Sequence, residues 1–407
     1  MNDLHTQICR AIAALGGRAY LVGGYVRDRL LGLPSQDIDC EVHGLDKAAL
    51  HHLLCRYGEV DTSGEAFGVY TLKGAGYDFA LPRMERRTGS AHTDFEVTPM
   101  PNLTARQAAA RRDFTVNAMM MDALTGEIID PYGGQDDLRA KVLRAVPGGQ
   151  FEEDPLRVLR GAQFAARFDL TPEEGTLAAM RRMPLDALSA QRVLSETKKA
   201  LLQAARPGGY IRVLHAANAL KPWFCAFTRE DRADIAGAAL DRAAVLRDKA
   251  KEPLGFMLAA MTAELSADEA EGMMRRLGVS KGVTAYCLSL TVACKKMQRG
   301  DVHASLIFDG CACPQDLALL CVVCGENEQA VMERLAVYEA AAARIMPTGN
   351  MLLAAGVKPG PNMRAMLAAA REKTLLGMDA LEAVNAVVVE TKEPSPMGKV
   401  DCQRRDG

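Results

Sequence analysis

The stretch YLVGGYVRDRLLGLPSQDIDCEV, Tyr20 to Val42, decides how this chain reads. An apolar run, Tyr20 to Val22, meets a Gly23-Gly24 break. An amphipathic segment follows from Tyr25 to Leu31, and then Asp37 and Asp39 flank one isoleucine. The pattern predicts a strand, a tight turn opening a helix, and a second strand that carries the acids. Alternation along that strand sends Asp37 and Asp39 to one face and Ile38 to the other. Neighbouring carboxylates repel unless a cation lies between them. They are also the hard-oxygen donors that Mg²⁺ takes when it is shared with substrate phosphates. The glycine turn offers bare backbone N–H groups and positive dipole density to a polyanion. Phosphate and magnesium chemistry so close together point to nucleotides.

Composition sets the surroundings of this segment. A chain of 407 residues is too long for one ordinary core, and 49% hydrophobic with 25% charged residues describes a folded protein. A formal net charge of −2 excludes a globally basic nucleic-acid binder, although a local basic face is enough to hold RNA. No apolar run reaches the roughly 20 residues of a membrane span, and MNDLHTQICR is too polar for a signal peptide, so a cytoplasmic protein is expected. The eleven cysteines then read as reduced thiols. Cys311, Cys313, Cys321 and Cys324 have the content of a zinc or iron–sulfur site. However, LALLCVVCGE is an apolar helical stretch in which cysteine acts as a small hydrophobe, and structural thiols are the expectation.

Strand-like alternation, as in GVYTLKG (68–74) and YDFALPR (77–83), is confined to the first part of the chain. From about Asp154 onward, helices separated by Pro172, Pro184, Gly208-Gly209 and Pro222 take over, and a last boundary falls near Pro347–Gly349. The expected segments are 1–145, 146–210, 211–340 and 341–407.

Three further groups carry chemistry. Asp78, on YDFALPR, reads equally as a third carboxylate beside the aspartate pair or as a solvated strand-end acid. Three acids around two Mg²⁺ ions would serve in-line nucleotidyl transfer. In ARRDFTVNAMMMD, Arg111 and Arg112 can clamp phosphate, Asp113 can accept from a ribose hydroxyl, and Asn117 follows one turn later. A surface ion pair at a helix start is the alternative. In FEEDPLRVLRGAQFAARFDL, Pro155 marks a helix N-terminus, and Asp154, Arg157 and Arg160 recur at spacings of three on one face. Such a face can pair with the edge of a base, or it can be a salt-bridged stripe worth little.

Taken together, GGYVRDRLLG…DID, YDFALPRMERR, RRDFTVNA and EDPLRVLR resemble, in order and spacing, the class II tRNA nucleotidyltransferase and bacterial poly(A) polymerase superfamily over residues 20 to about 200. The resemblance implies an α+β fold: a polymerase-β-like nucleotidyltransferase head followed by an all-helical neck, body and tail. It implies that Asp37 and Asp39 hold Mg²⁺, with Asp78 at the third-carboxylate position. Gly24 and Arg27 would bind triphosphate, Arg112 and Asp113 would read phosphate and ribose, and Asp154, Arg157 and Arg160 would select CTP and then ATP. Many relatives carry a third arginine one turn beyond Arg160, where this chain has Gln163. The loop Arg86 to Thr93 takes the place of the family's flexible loop. Arg192, Lys198, Lys199, Arg206 and Arg212 are candidate RNA-phosphate contacts, although charged faces are usually just solvated. LLAAGVKPGPNMRAML resembles the tail of bacterial relatives.

The implied activity is template-independent addition or repair of the tRNA 3′-terminal CCA, with the tRNA 3′ end, CTP and ATP as partners and no membrane or protein partner. CC-only or A-only addition and poly(A) synthesis are the alternatives within the family. A non-catalytic RNA-binding or thiol-metal protein is the alternative outside it. Some relatives add a His-Asp phosphohydrolase domain. The second half of this chain has no His-Asp dipeptide, so that activity is not expected.

Overall fold

The computed structural model describes residues 3–34, 38–74, 76–87, 95–148 and 150–392. Asp37 and most of the Arg86–Thr93 loop lie outside the described residues. The chain divides into two compact units, Met1–Val245 with Glu264–Ser280, and Leu246–Ala263 with Lys281–Gly407.

The first unit opens with helix α1 (Asp3–Ala14), strand β1 (Arg18–Val22), helix α2 (Gly24–Leu30), strand β2 (Ile38–His43) and helix α3 (Lys47–Leu54). Strands β3 (Val60–Asp61), β4 (Val69–Leu72), β5 (Tyr77–Ala80), β6 (Arg83–Arg87) and β7 (Phe95–Pro99) follow. Next come α4 (Ala105–Ala109), β8 (Met120–Asp122), β9 (Ile128–Ile129), α5 (Gly134–Arg139) and β10 (Val142–Leu143). Seven strands form one sheet in the order β3-β4-β5-β2-β1-β8-β9, while β6 and β7 make a separate hairpin. The expected neighbours GVYTLKG and YDFALPR are the antiparallel pair β4 and β5. Among the described residues, only β2 and β5 pair in parallel within the sheet.

Burial along β2 and β5 shows why the sheet has two unlike faces. Cys40, Val42, Tyr77 and Phe79 are buried on the face that carries α1 and α3, whose Ile8, Ile12, Leu50 and Leu54 are inaccessible. The opposite face carries Asp39 and Asp78. Away from these acids it is covered by α4, where Tyr20, Val22, Leu103, Ala108 and Met120 form a small core. The Thr104–Gln107 capping box starts α4 by satisfying backbone donors that the helix leaves open.

Beyond this sheet the unit is almost entirely helical: α6 (Leu156–Phe168), α7 (Glu174–Arg181), α8 (Ala190–Gln203), α9 (Gly208–Ala216) and α10 (Glu230–Leu246), with a two-residue strand β11 (Thr171–Pro172). Helix α6 packs against both α8 and α9. Val158 and Leu159 are buried in its first half, and every residue from Gly161 to Ala166 is buried, so the middle of the helix is enclosed on all sides. In the second unit, α11 (Pro253–Thr262) is buried over its whole length except its first residue, and α12 (Ala267–Arg276) returns to the first unit. Helices α13 (Lys281–Arg299), α14 (Ala304–Asp309), α15 (Pro314–Val323) and α16 (Glu328–Ala342) complete the middle of the second unit. Asp316 is buried there and accepts from Lys251 N, Glu252 N and Tyr286 Oη, which ties α13, α15 and the start of α11 together. Last come α17 (Gly349–Ala354), α18 (Asn362–Leu375) and α19 (Ala380–Lys392), which share a core of Leu352, Met366, Ala370, Ala383, Val384 and Val387. The expected α+β class with a helical remainder is borne out. Among the described residues no helix is long and apolar enough to cross a membrane.

Candidate active site

The site begins at a register position. Asp39 on β2 lies directly opposite Asp78 on β5. Paired residues of adjacent strands, about 4.8 Å apart, project to the same side of a sheet, so both carboxylates face one way. The parallel pairing was not legible in the sequence, which left open how Asp78 would reach the pair. On the far side, Thr71 lies opposite Asp78, and its Oγ1 donates to Asp78 Oδ1 at 2.6 Å. The carboxylate is thereby oriented rather than left to rotate as a solvated edge acid.

Asp39 opens into a cleft of about 480 Å³ that is also lined by Gly24, Arg27, Arg160, Gln163 and Lys199. The turn before it works as the sequence demands. Gly23 has φ +66 and ψ −127, a backbone conformation that favours glycine, and a Cβ there would lie 2.7 Å from Arg112 Nη1. Arg112 thus sits against the turn. Among the described residues its Nε has no hydrogen-bond partner, and burial followed by the charge of Arg111 lowers its pKa.

Arg27 is buried behind this turn. Its Nε and Nη2 donate to Asp28 Oδ1 at 2.9 and 2.7 Å, its Nη1 donates to Asn117 Oδ1 at 2.6 Å, and its guanidinium lies 4.2 Å from the Phe168 ring centre. The chain of bonds continues inward. Asn117 Nδ2 and Phe114 N donate to Asp113 Oδ1, and Arg160 Nε donates to Asp113 Oδ2 at 2.8 Å. Burial works to raise the Asp113 pKa, but Arg160 and the amide donors outweigh it and hold the carboxyl below its ordinary value. Arg27, Asn117, Asp113 and Arg160 therefore form one continuous network that joins α2, the 114–117 turn and α6. The predicted one-turn relation of Asp113 to Asn117 is present.

The other members of the expected base-reading face point elsewhere. Arg157 gives Nη1 to the Gln150 carbonyl and Nη2 to the Arg111 carbonyl, both at 2.6 Å. Asp154 precedes α6, accepts from Leu156 N at 3.0 Å and pairs with Arg192 at 3.0 Å. Neither lines the cleft; Arg160 and Gln163 do. Gln163 is 1% exposed, and its Nε2 has no hydrogen-bond partner among the described residues. Of the candidate phosphate contacts, Arg192, Lys199 and Arg212 are paired with Asp154, Glu196 and Asp241, while Lys198 and Arg206 are exposed.

Sequence reasoning overlooked Asp28 and Phe168, which fix Arg27. Helical spacing could have found Phe168, which stands one turn beyond Phe164. The four late cysteines do not gather: Cys321 Sγ lies 3.8 Å from Cys294 Sγ, a residue outside the group. Among the described residues, the one group of three potential metal ligands with atoms within 4.8 Å is His5, Cys9 and Cys40.

Comparison with known proteins fits this geometry. Residues 19–144 match the poly A polymerase head domain. The Multifunctional CCA proteins of Stenotrophomonas maltophilia (strain K279a) and Xanthomonas campestris pv. campestris (strain B100) are 44% and 43% identical over 212 and 213 residues, 50% of this chain and 50% of theirs. The chain thus spans about half the length of these curated relatives in the match. The Thermotoga maritima CCA-adding enzyme complexed with tRNA_CCA superposes with a TM-score of 0.72 at 21% identity, over 96% of this chain and 95% of that one. The Bacillus stearothermophilus CCA-adding enzyme in complex with CTP gives 0.72 at 21% identity, over 96% and 98%. Residues 19–144 are thus similar to the poly A polymerase head domain, and the chain has the fold of the CCA-adding enzymes.

Proposed function

We propose that this protein is a template-independent RNA nucleotidyltransferase that builds or repairs the 3′-terminal CCA of tRNA from CTP and ATP in the cytoplasm. The observation that carries this reading is the in-register pairing of Asp39 with Asp78 beside a cleft lined by Gly24, Arg27 and Arg160. Relatives named for CCA, and solved folds bound to CTP and tRNA_CCA, support the choice of substrates.

Two carboxylates on adjoining strands, one oriented by Thr71, are a hard-oxygen donor set that fits Mg²⁺. Asp39 and Asp78, with Asp37, would hold it. Bound there, it supplies Lewis-acid stabilisation to the reacting phosphate and the departing pyrophosphate. The chain's own residues do the rest. Gly24, Arg27 and Arg112 surround the triphosphate, with Arg112 free to turn its unpaired donor toward it. Asp113 and Arg160 exchange their mutual bonds for contacts to ribose and base, and Asp154 and Arg157 read the base edge once their present partners are displaced. The terminal ribose hydroxyl attacks the nucleotide α-phosphate, forming a phosphodiester as pyrophosphate leaves. In this reading, residues 1–145 are the head, 146–210 the neck with the selecting helix, 211–340 the body and 341–407 the tail.

The test is incorporation into tRNA lacking CCA, with CTP alone, ATP alone and both. Full CCA addition requires growth by two residues with CTP and by a third only when ATP is added. Extension by CTP alone without the third step identifies a CC-adding enzyme, and long A tracts identify a poly(A) polymerase. Asp39→Ala should lower turnover by roughly a hundredfold or more while tRNA binding is nearly unchanged. Loss of neither nucleotide's incorporation in that variant would refute the metal assignment.

A further inference from the structure

On the face of the sheet opposite Asp39, three soft donors converge where nothing in nucleotidyl transfer needs them. His5 and Cys9 stand one turn apart on α1, and Cys40 follows Asp39 on β2. Their donor atoms all lie within 4.8 Å of one another, and the side chains are 0%, 1% and 1% exposed. We propose that His5, Cys9 and Cys40 form a buried one-nitrogen, two-sulfur site for a thiophilic d¹⁰ cation, Zn²⁺ or Cu(I).

Distance is the first argument. Cys9 Sγ lies 3.6 Å from His5 Nδ1. Metal–sulfur and metal–nitrogen bonds of about 2.3 and 2.0 Å at a tetrahedral angle put their ends about 3.5 Å apart, so an ion fits between these atoms with little movement of either.

The second argument is the chemistry of the pocket, which offers one imidazole and two sulfur donors. The Tyr77 and Phe79 rings, with centroids 4.8 and 6.0 Å from that of His5, make the surroundings apolar. Hard cations are disfavoured in such a place, whereas thiolate and imidazole select copper(I) or zinc. Loading releases the thiol protons to solvent as the metal–sulfur bonds form.

The donors also sit on rigid elements. An i, i+4 pair on a helix and a third ligand on the strand beneath hold their spacing without help from a loop. An ion here would clamp α1 to β2 at Cys40, the residue that follows Asp39. Three protein ligands in a dry pocket suit three-coordinate Cu(I), while Zn²⁺ would need a fourth donor, so the two ions are separate arms of the test.

The experiment uses the full chain with the exposed Cys55 and Cys225 changed to serine. The protein is chelator-stripped, loaded with Zn²⁺ or with Cu(I) under oxygen-free reducing conditions, and assayed for metal per chain by elemental mass spectrometry. One ion per chain is expected in one arm, together with a raised melting temperature, and both are lost in Cys9→Ser and in Cys40→Ser. Stoichiometric binding in neither arm overturns the proposal, as does an ion that survives Cys9→Ser but leaves with Cys321→Ser. Should the serine variants fail to fold, X-ray absorption of the loaded parent decides. One nitrogen and two sulfur scatterers, joined in the zinc arm by one light-atom donor, sustain the site, and any other number of sulfur scatterers overturns it.

Discussion

At the scale of single residues, Asp113 is where fold and site are hardest to separate. Its two oxygens take a backbone N–H, the Asn117 amide and the Arg160 guanidinium, all within 2.9 Å. Because these donors hold its pKa below the ordinary carboxylate value, the unfolded chain binds its proton more readily than the folded one. The stability it contributes is therefore complete above about pH 4, the unfolded value, and is lost as pH falls through the lower folded one. Asp113→Asn keeps the shape and removes the charge. It should cost about 2 kcal/mol at pH 7, and urea melts from pH 7 to 3 should show the gap to the unaltered protein closing on the acid side. A gap that stayed constant would mean that the charge is not what the network uses. Gln163 shows the opposite condition: it is more buried than Asp113 and lines the cleft, yet its amide nitrogen lacks a partner among the described residues.

At the scale of elements, helix crossings set how closely α9 can approach α10. Gly208 begins α9, and a methyl group there would collide with the carbonyl oxygen of Gly237 on α10, a backbone atom that cannot turn away. Asp241 secures the same crossing by accepting from Gly208 N at 2.8 Å and Arg212 Nη2 at 2.6 Å. Gly208→Ala should thus destabilise the first unit by about 1–3 kcal/mol. Gly272, inside α12, has open space where a Cβ would go. Gly272→Ala should stabilise by about 0.5–1 kcal/mol, because alanine loses less freedom on entering a helix. Denaturant midpoints of the two variants should move in opposite directions. The glycine pair that the sequence marks as a break between helices is, in the structure, the start of a helix and its point of closest contact.

At the scale of the whole molecule, a net charge of −2 leaves RNA binding to local cations. Three of the five arginines and lysines singled out along the neck and body are held by carboxylates, and Lys198 and Arg206 are the exposed pair. On the proposed function, the logarithm of tRNA affinity should fall linearly with the logarithm of salt concentration. Replacing Lys198 and Arg206 by alanine should flatten the slope by about 1–2, through the loss of that many phosphate contacts. Arg212→Ala should leave the slope unchanged and lower stability instead, since its charge is spent on Asp241. Filter-binding titrations at several salt concentrations read both effects.

The sequence by itself determined the local pieces: the strand–turn–helix around Gly23, the period-two strands, the helical remainder, and the acids and arginines that the motifs carry. These depend on alternation, helical period and glycine geometry, all of which act within a few residues. It could not say that β2 and β5 run parallel, because pairing direction depends on how distant segments cross. That pairing is what sets Asp39 opposite Asp78. It could not say that Arg157 faces backbone carbonyls while Gln163 faces the cleft, because three residues on one helical stripe still point to different neighbours once the helix is docked. Nor could it bring His5 and Cys9 to Cys40, since only the packing of α1 on the sheet gathers those donors. Spacing along the chain named the residues, and packing across it chose their partners.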